Sequence, residues 1–343
     1  DPDGVQNVTL EYQLVNPGSY IRVTDAAYQT NWTPIPMVDD GTGGDAVAGD
    51  DIYSATVDGS LNTHRRLVRY RVTATDTSAA SVTVPYADDP QPNFAYFVYD
   101  GVPDLTASLR PGVQPNVTYA GDTLDNMATY HLIANSSDVN NSQYNGAFNE
   151  VQFNGTLVYD GVVYDHIEFR NRGQGSTYAV GKNKWKLNFT RGHSFQARDD
   201  YGNRYTVPWD KINILPGTNP WWRNDISTEG TVLSEPVGFK LYELAGTPSS
   251  HTQYFQFRVI DNANETTSNQ YTGDFWGMYI GIEQPDGRYL DERGLPDGNI
   301  FNMHGSAFGS TSQRNQAAEL PSNRSDLTAF INGVNNNYNT VAE

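Results

Sequence analysis

The stretch from Arg170 to Phe189, RNRGQGSTYAVGKNKWKLNF, joins a basic strand end to a glycine turn and then places lysines at every second position. Glycine lets a backbone approach an anion closely, and alternate residues of a strand project to one side. Lys182, Lys184 and Lys186 then share one strand face, and Trp185, Leu187 and Phe189 share the other. Spacing alone does not choose among the three lysines. The same pattern suits a grip on phosphate or a hairpin with a solvated basic face.

A second set of residues has metal chemistry. In DDGTGGDAVAGDDIYSA, the five carboxylates of Asp39, Asp40, Asp45, Asp50 and Asp51 lie within thirteen residues that include four glycines. Hard oxygen ligands on a pliable loop suit calcium, although the fixed Glu of an EF-hand loop is missing. A solvated acidic loop fits the same composition. The histidines at 64, 131, 166, 193, 251 and 304 show neither H-x-x-x-H nor H-E-x-x-H spacing, which argues against a histidine metal centre. There is no G-x-S-x-G elbow and no P-loop pattern. Adjacent Trp221 and Trp222 offer a sugar platform or a packing feature at the edge of a core.

Composition restricts the partners. Basic residues number 22 against 40 acidic ones, and the formal charge of -18 opposes a nonspecific nucleic-acid or anionic-membrane surface. A divalent cation is a more natural companion. With no Cys, disulfides and thiolate chemistry are excluded. No apolar run approaches the ~20 residues of a membrane span. An acidic, lysine-poor chain rich in Asn, Thr and Tyr suits an extracellular or cell-surface home, and DPDGVQNVTL does not look like a signal peptide. Recurrent N-x-S/T triplets are weak signals of glycosylation in so Asn-rich a chain.

These groups need elements to hold them, and 343 residues suit two or three domains. VTLEYQLV, YIRVTDA, DIYSATVDG, LVRYRVTATD, SVTVPY and FAYFVYD read as short strands bounded by turn residues, which predicts an immunoglobulin- or fibronectin-like β-sandwich over residues 1–102. Residues 103–128, with Pro103, Pro111 and Pro115, read as a linker. A second β-rich region follows. It opens with ATYHLIA, has a short helix capped by Ser136 or Ser137, and turns a hairpin at Asp160-Gly161. SEPVGFKLYELAG reads as the best helix in the chain, with Pro236 in its first turn and Gly246 at its end. The predicted fold class is mainly β with some α.

The order of these stretches resembles the spore-coat protein H (CotH) family of atypical, kinase-like proteins. The resemblance rests on RGQGS at 172–176, KNKWKLNF at 182–189, RN at Arg223 and Asn224, GMYIGIE at 277–283 and GNIFN at 298–302. It implies an amino-terminal kinase lobe over 129–305, with a polar segment at 306–343 beginning a second lobe. In such a lobe a strand-turn-strand covers ATP and a lysine binds its phosphates. Carried over, Gly173, Gln174, Gly175 and Ser176 form the turn, and Lys182 or Lys186 is the phosphate lysine. Glu243 on the long helix becomes a carboxylate partner for that lysine, and Glu283 lies near the hinge. The implied partners are ATP with magnesium or manganese, and a protein hydroxyl.

The chain departs from the family pattern in several places. Asn183 and Lys184 stand where Lys and Ser are usual, Gly175 replaces a usual Ser, and Asn302 replaces a lysine. The family's catalytic and metal-binding aspartates lie in an N-Y-Y-x-Y region and a later W-D-x-D segment, and neither pattern occurs in the sequence. Residues 1–343 are therefore expected to bind nucleotide without transferring phosphate. A structural or adhesive extracellular role on a degenerate kinase-like scaffold, stiffened by calcium, is the competing expectation.

Overall fold

Strand signals dominate the sequence, and strands dominate the structure. The computed structural model describes residues 3–108, 112–144, 151–173, 182–216, 233–266, 272–303, 311–315 and 319–337. Its first strands are β1 (Val5–Val15), β2 (Thr33–Met37), β3 (Arg66–Asp76), β4 (Ser81–Val84) and β5 (Phe94–Val98). They form one antiparallel sheet in the order β2-β1-β3-β4, with β5 also on β3. The expected two-sheet sandwich is therefore not seen among the described residues. Two of its predicted strands are absent as well: YIRVTDA runs through turns into a helix at Ala26–Thr30, and DIYSATVDG contributes an isolated bridge, Val38 to Ser54. Residues 103–128 hold a small pair, β6 (Leu105–Ala107) with β7 (Val117–Tyr119), and one helical turn at Gly121–Leu124.

Seven later strands close a barrel. They are β8 (Thr129–Ala134), β9 (Phe153–Tyr159), β10 (Val162–Asn171), β11 (Trp185–Asn188), β12 (Lys211–Leu215), β13 (Thr252–Ile260) and β14 (Phe275–Glu283), in the order β10-β11-β12-β14-β13-β8-β9. Every neighbouring pair is antiparallel except β8 with β13. The predicted hairpin is present, with Asp160 and Gly161 at φ of 52° and 75°, the left-handed pair that a tight two-residue turn requires. Alternation then sorts the side chains. Trp185 and Leu187 of β11 point inward and are fully buried with Tyr130, Phe169, Phe255 and Phe257, so aromatic rings fill the barrel.

The outer wall of the barrel completes the core of the first sheet. Val15, Tyr20 and Leu67 pack with Ile133, Val158 and Ile260 of the barrel in one buried cluster. Three arginines of the first hundred residues reach barrel-side carboxylates: Arg22 to Asp138, Arg65 to Asp274 and Arg69 to Asp165, at 2.8, 2.7 and 2.7 Å. A bulge in β10 between Tyr164 and Ile167 turns Asp165 and His166 out toward the sheet. Burial alone would raise the Asp165 pKa, but Arg69, His166 and a bond from Thr156 hold it below the usual carboxylate range.

Helices lie outside the barrel. Ser136–Gln143 follows β8, with Asn135 rather than a serine at its N-cap and no side-chain capping bond. The predicted helix forms at Ser234–Leu244 between β12 and β13, and Phe239 packs on Leu215, Ile280 and Ile282. Gly287–Glu292 follows β14, and β15 (Asn299–Met303), β16 (Thr311–Asn315) and the helix Ser325–Asn337 complete the described chain. Among the described residues, no helix is long and apolar enough to cross a membrane.

Candidate nucleotide and metal sites

The glycine turn leaves the barrel at the end of β10. Asn171 pairs with Trp185, and the Arg172 amide still donates to the Lys184 carbonyl at 3.2 Å, which ties the two ends of the turn together. Gly173 has a φ of 124°, a backbone that glycine adopts without strain. Gln174, Gly175 and Ser176 lie outside the described residues, as do Arg223, Asn224, Trp221 and Trp222.

The lysines do not share a face. β11 begins only at Trp185, so Lys182 belongs to the end of the turn, and its stem folds inward over the barrel mouth. Lys182 Nζ donates to the carbonyls of Pro216, at 3.1 Å, and Met278, and sits 4.4 Å from the centroid of the Tyr279 ring. A Cβ on Gly277 would lie 3.3 Å from that nitrogen, so a glycine here lets the amine reach β14. Burial brings the Lys182 pKa down to about 8. Lys186 instead faces outward from mid-β11, opposite Arg170 on β10 and Asn213 on β12.

Asn183, a departure from the resembling pattern, is buried, and its side chain donates to the Gln143 carbonyl at 2.6 Å. This bond pins the C-terminal end of the Ser136–Gln143 helix to the root of the turn. A short polar residue between two lysines gave no sequence signal for such a role. Gly277 and Tyr279 were visible only as part of GMYIGIE.

The carboxylates carry other loads. Glu243 is exposed on the long helix and pairs with Lys240 at 3.0 Å, one turn away, so the structure does not bring it to Lys182. Glu283 ends β14 with 1% exposure and accepts from Arg293 at 3.0 and 2.7 Å and from the His251 amide at 3.0 Å. Burial raises the Glu283 pKa while Arg293 opposes it. Because Arg293 also donates to the Ser249 and Tyr289 carbonyls, the group anchors the helix after β14 to the barrel.

The acidic loop converges in part. Asp39, Asp45 and Asp50 each place a carboxylate oxygen within 4.8 Å of the others, and the Val38–Ser54 bridge closes the loop beneath them. Asp39 also accepts from the amides of Gly49, Asp50 and Asp51 at 2.8 to 3.1 Å. Asp40 turns onto Thr42, and Asp51 lies outside the cluster. A cavity of about 1130 Å³ opens at the far barrel end, beside Thr129, Tyr159 and Gln253, and none of the nominated residues lines it.

With this geometry in view, a family model described as CotH kinase protein matches residues 169–343. The chain belongs to the CotH kinase protein family. The match opens on the last strand before the glycine turn, later than the 129 expected from the sequence, and continues past 305. No curated protein matches the chain. The CotH region therefore takes in β11 to β14 and the lysine stretch, whereas the first sheet and strands β8 and β9 precede it.

Proposed function

We propose that this CotH-family chain is the nucleotide-binding half of an extracellular or surface kinase-like protein, with the phosphates of a metal-bound ATP gripped at the barrel end that carries the glycine turn. The observation that carries the reading is Lys182. An ammonium group taken into a low-dielectric mouth, with two carbonyls and a ring as its partners among the described residues, gains more from an incoming phosphate than a solvated lysine would. Gly173 opens the turn beside it. The long helix follows β12, one strand after the lysine-bearing β11, and β13 and β14 follow it.

Lys182 is the stronger candidate for the phosphate lysine, and Lys186 the weaker, because only Lys182 lies at the turn's own end of the barrel. Transfer to a protein hydroxyl is not assigned to residues 1–343, in which neither N-Y-Y-x-Y nor W-D-x-D occurs. Titration calorimetry of the full chain with ATP and magnesium or manganese tests the reading. Heat is expected with wild type and little with Lys182→Ala plus Lys186→Ala, folding being checked by circular dichroism. Absence of heat with wild type, or equal heat from the folded variant, sinks it.

The convergence of Asp39, Asp45 and Asp50 favours a second, competing reading, in which calcium stiffens the first sheet of a structural surface protein. Three carboxylates on a glycine-rich loop are a suitable hard-oxygen set. A bound ion raises apparent stability by mass action. Melting should therefore occur at lower temperature in EDTA than in calcium, and Asp45→Asn should abolish the difference. An unchanged melting temperature removes this reading.

A further inference from the structure

A second charged site lies on the outside of the barrel, away from the glycine turn. Lys186, Asp210, Lys211, Asp286, Arg288 and Asp291 line a cavity of about 490 Å³. β11 and β12 run antiparallel, so Lys211, opposite Asn188, is at the end of these strands remote from Lys182 and Pro216. Lys186 projects outward because Trp185 and Leu187 on either side of it are buried in the barrel.

Three ion pairs around this cavity are long. Arg65, Arg69 and Arg293 each close on a carboxylate at 2.7 Å. Here Arg288 stands 3.4 Å from Asp210 and 3.9 Å from Asp291, and Lys211 stands 3.9 Å from Asp286. The carboxylates are nonetheless held in place: Ser194 donates to Asp210 at 2.6 Å, and the Arg288 amide donates to Asp286, itself 8% exposed, at 3.2 Å. Lys211 and Arg288 thus stand around one space with three carboxylates at separations longer than a charge-assisted hydrogen bond prefers, and Lys186 lines the same space.

We propose that this cavity binds a phosphate-bearing ligand together with a divalent cation. Guanidinium and ammonium groups recognise phosphate oxygens, and carboxylates recognise a hard cation. A bare polyanion is disfavoured by three lining carboxylates and by a whole-chain charge of -18. The cation removes that penalty, which makes the two components bind together. Lys186, the weaker candidate for the phosphate lysine, lines this cavity, whereas Lys182, on which the nucleotide reading rests, lies at the other end of the strands, so Lys182→Ala alone separates the two sites.

Pyrophosphate with magnesium is the probe, titrated calorimetrically into the full chain, with pyrophosphate in EDTA as the second arm. Binding is expected only with magnesium, and Lys211→Ala plus Arg288→Ala should weaken it by about tenfold or more, as loss of charged contacts does. Lys240→Ala, which removes an equal type of charge from the exposed helix, should leave it within about twofold. No heat with magnesium pyrophosphate, equal binding in EDTA, or full binding by a double variant that circular dichroism shows to be folded each overturns the proposal. Binding of a zwitterionic probe such as phosphocholine in place of magnesium pyrophosphate also overturns it.

Discussion

Lys182 shows why a lysine stretch cannot be read from spacing alone. Alternation placed it with Lys184 and Lys186, but alternation holds only within a strand, and β11 starts three residues later. Outside the strand, the side chain was free to turn inward through the gap left by Gly277. The consequence is a pH dependence of definite sign. The folded-state pKa of about 8 lies below the ordinary lysine value of 10.5, so between them the unfolded chain binds more protons and stability rises with pH. Relative to Lys182→Met, which keeps an unbranched stem of similar length, wild type should gain on the order of 3 kcal/mol across that window, from 1.36 kcal/mol per unit. Urea titrations of both proteins from pH 7.5 to 10.5 measure the difference. A constant gap would mean that Lys182 is not buried as a destabilised ammonium. Nucleotide binding, which favours the charged amine, should weaken over the same window.

At the scale of elements, the sequence was legible where the signal is local. The hairpin at Asp160-Gly161 needed only its turn residues, and the helix at Ser234–Leu244 only its Pro236, its leucines and Gly246. Closure of the barrel was not legible, because it depends on β8 meeting β13 in parallel across more than a hundred intervening residues. Nor did the helix's apolar content say which side is buried. Phe239 packs on Leu215, Ile280 and Ile282, while Val237, Leu241 and Leu244 remain exposed at 49%, 61% and 72%. Two substitutions separate the faces. Phe239→Ala should cost about 2 kcal/mol, below the ~3–5 kcal/mol of a fully buried phenylalanine because the site is only partly buried. Leu241→Lys should change stability by less than about 0.5 kcal/mol. A large loss from Leu241→Lys in chemical denaturation would show that the exposed face is packed in solution.

The whole molecule differs from a string of modules. A sandwich was a fair expectation for strands spaced as these are, since alternation reports that a strand has a buried face and not what covers it. Here the barrel covers it. Val15, Tyr20 and Leu67 are buried against Ile133, Val158 and Ile260, and Arg69 and Asp165 are both 0% exposed at the seam. Such a pair contributes little net stability over an apolar filling, yet breaking it strands a buried charge. Arg69→Ala should therefore cost about 3–5 kcal/mol, with Asp165 left among Thr156, Asn93 and His166. The pH profile should follow. A carboxylate held below its ordinary range adds stability that is complete above the unfolded pKa of about 3.9 and is lost as pH falls toward the lower folded value. Wild type should thus lose this contribution only in acid below that point, whereas Arg69→Ala lacks it at neutral pH. If the sheet and barrel share one core, wild-type thermal unfolding should be a single transition by both near-UV circular dichroism and tryptophan fluorescence. Two resolved transitions, with Arg69→Ala shifting only one of them, would show that the first sheet folds as a unit of its own.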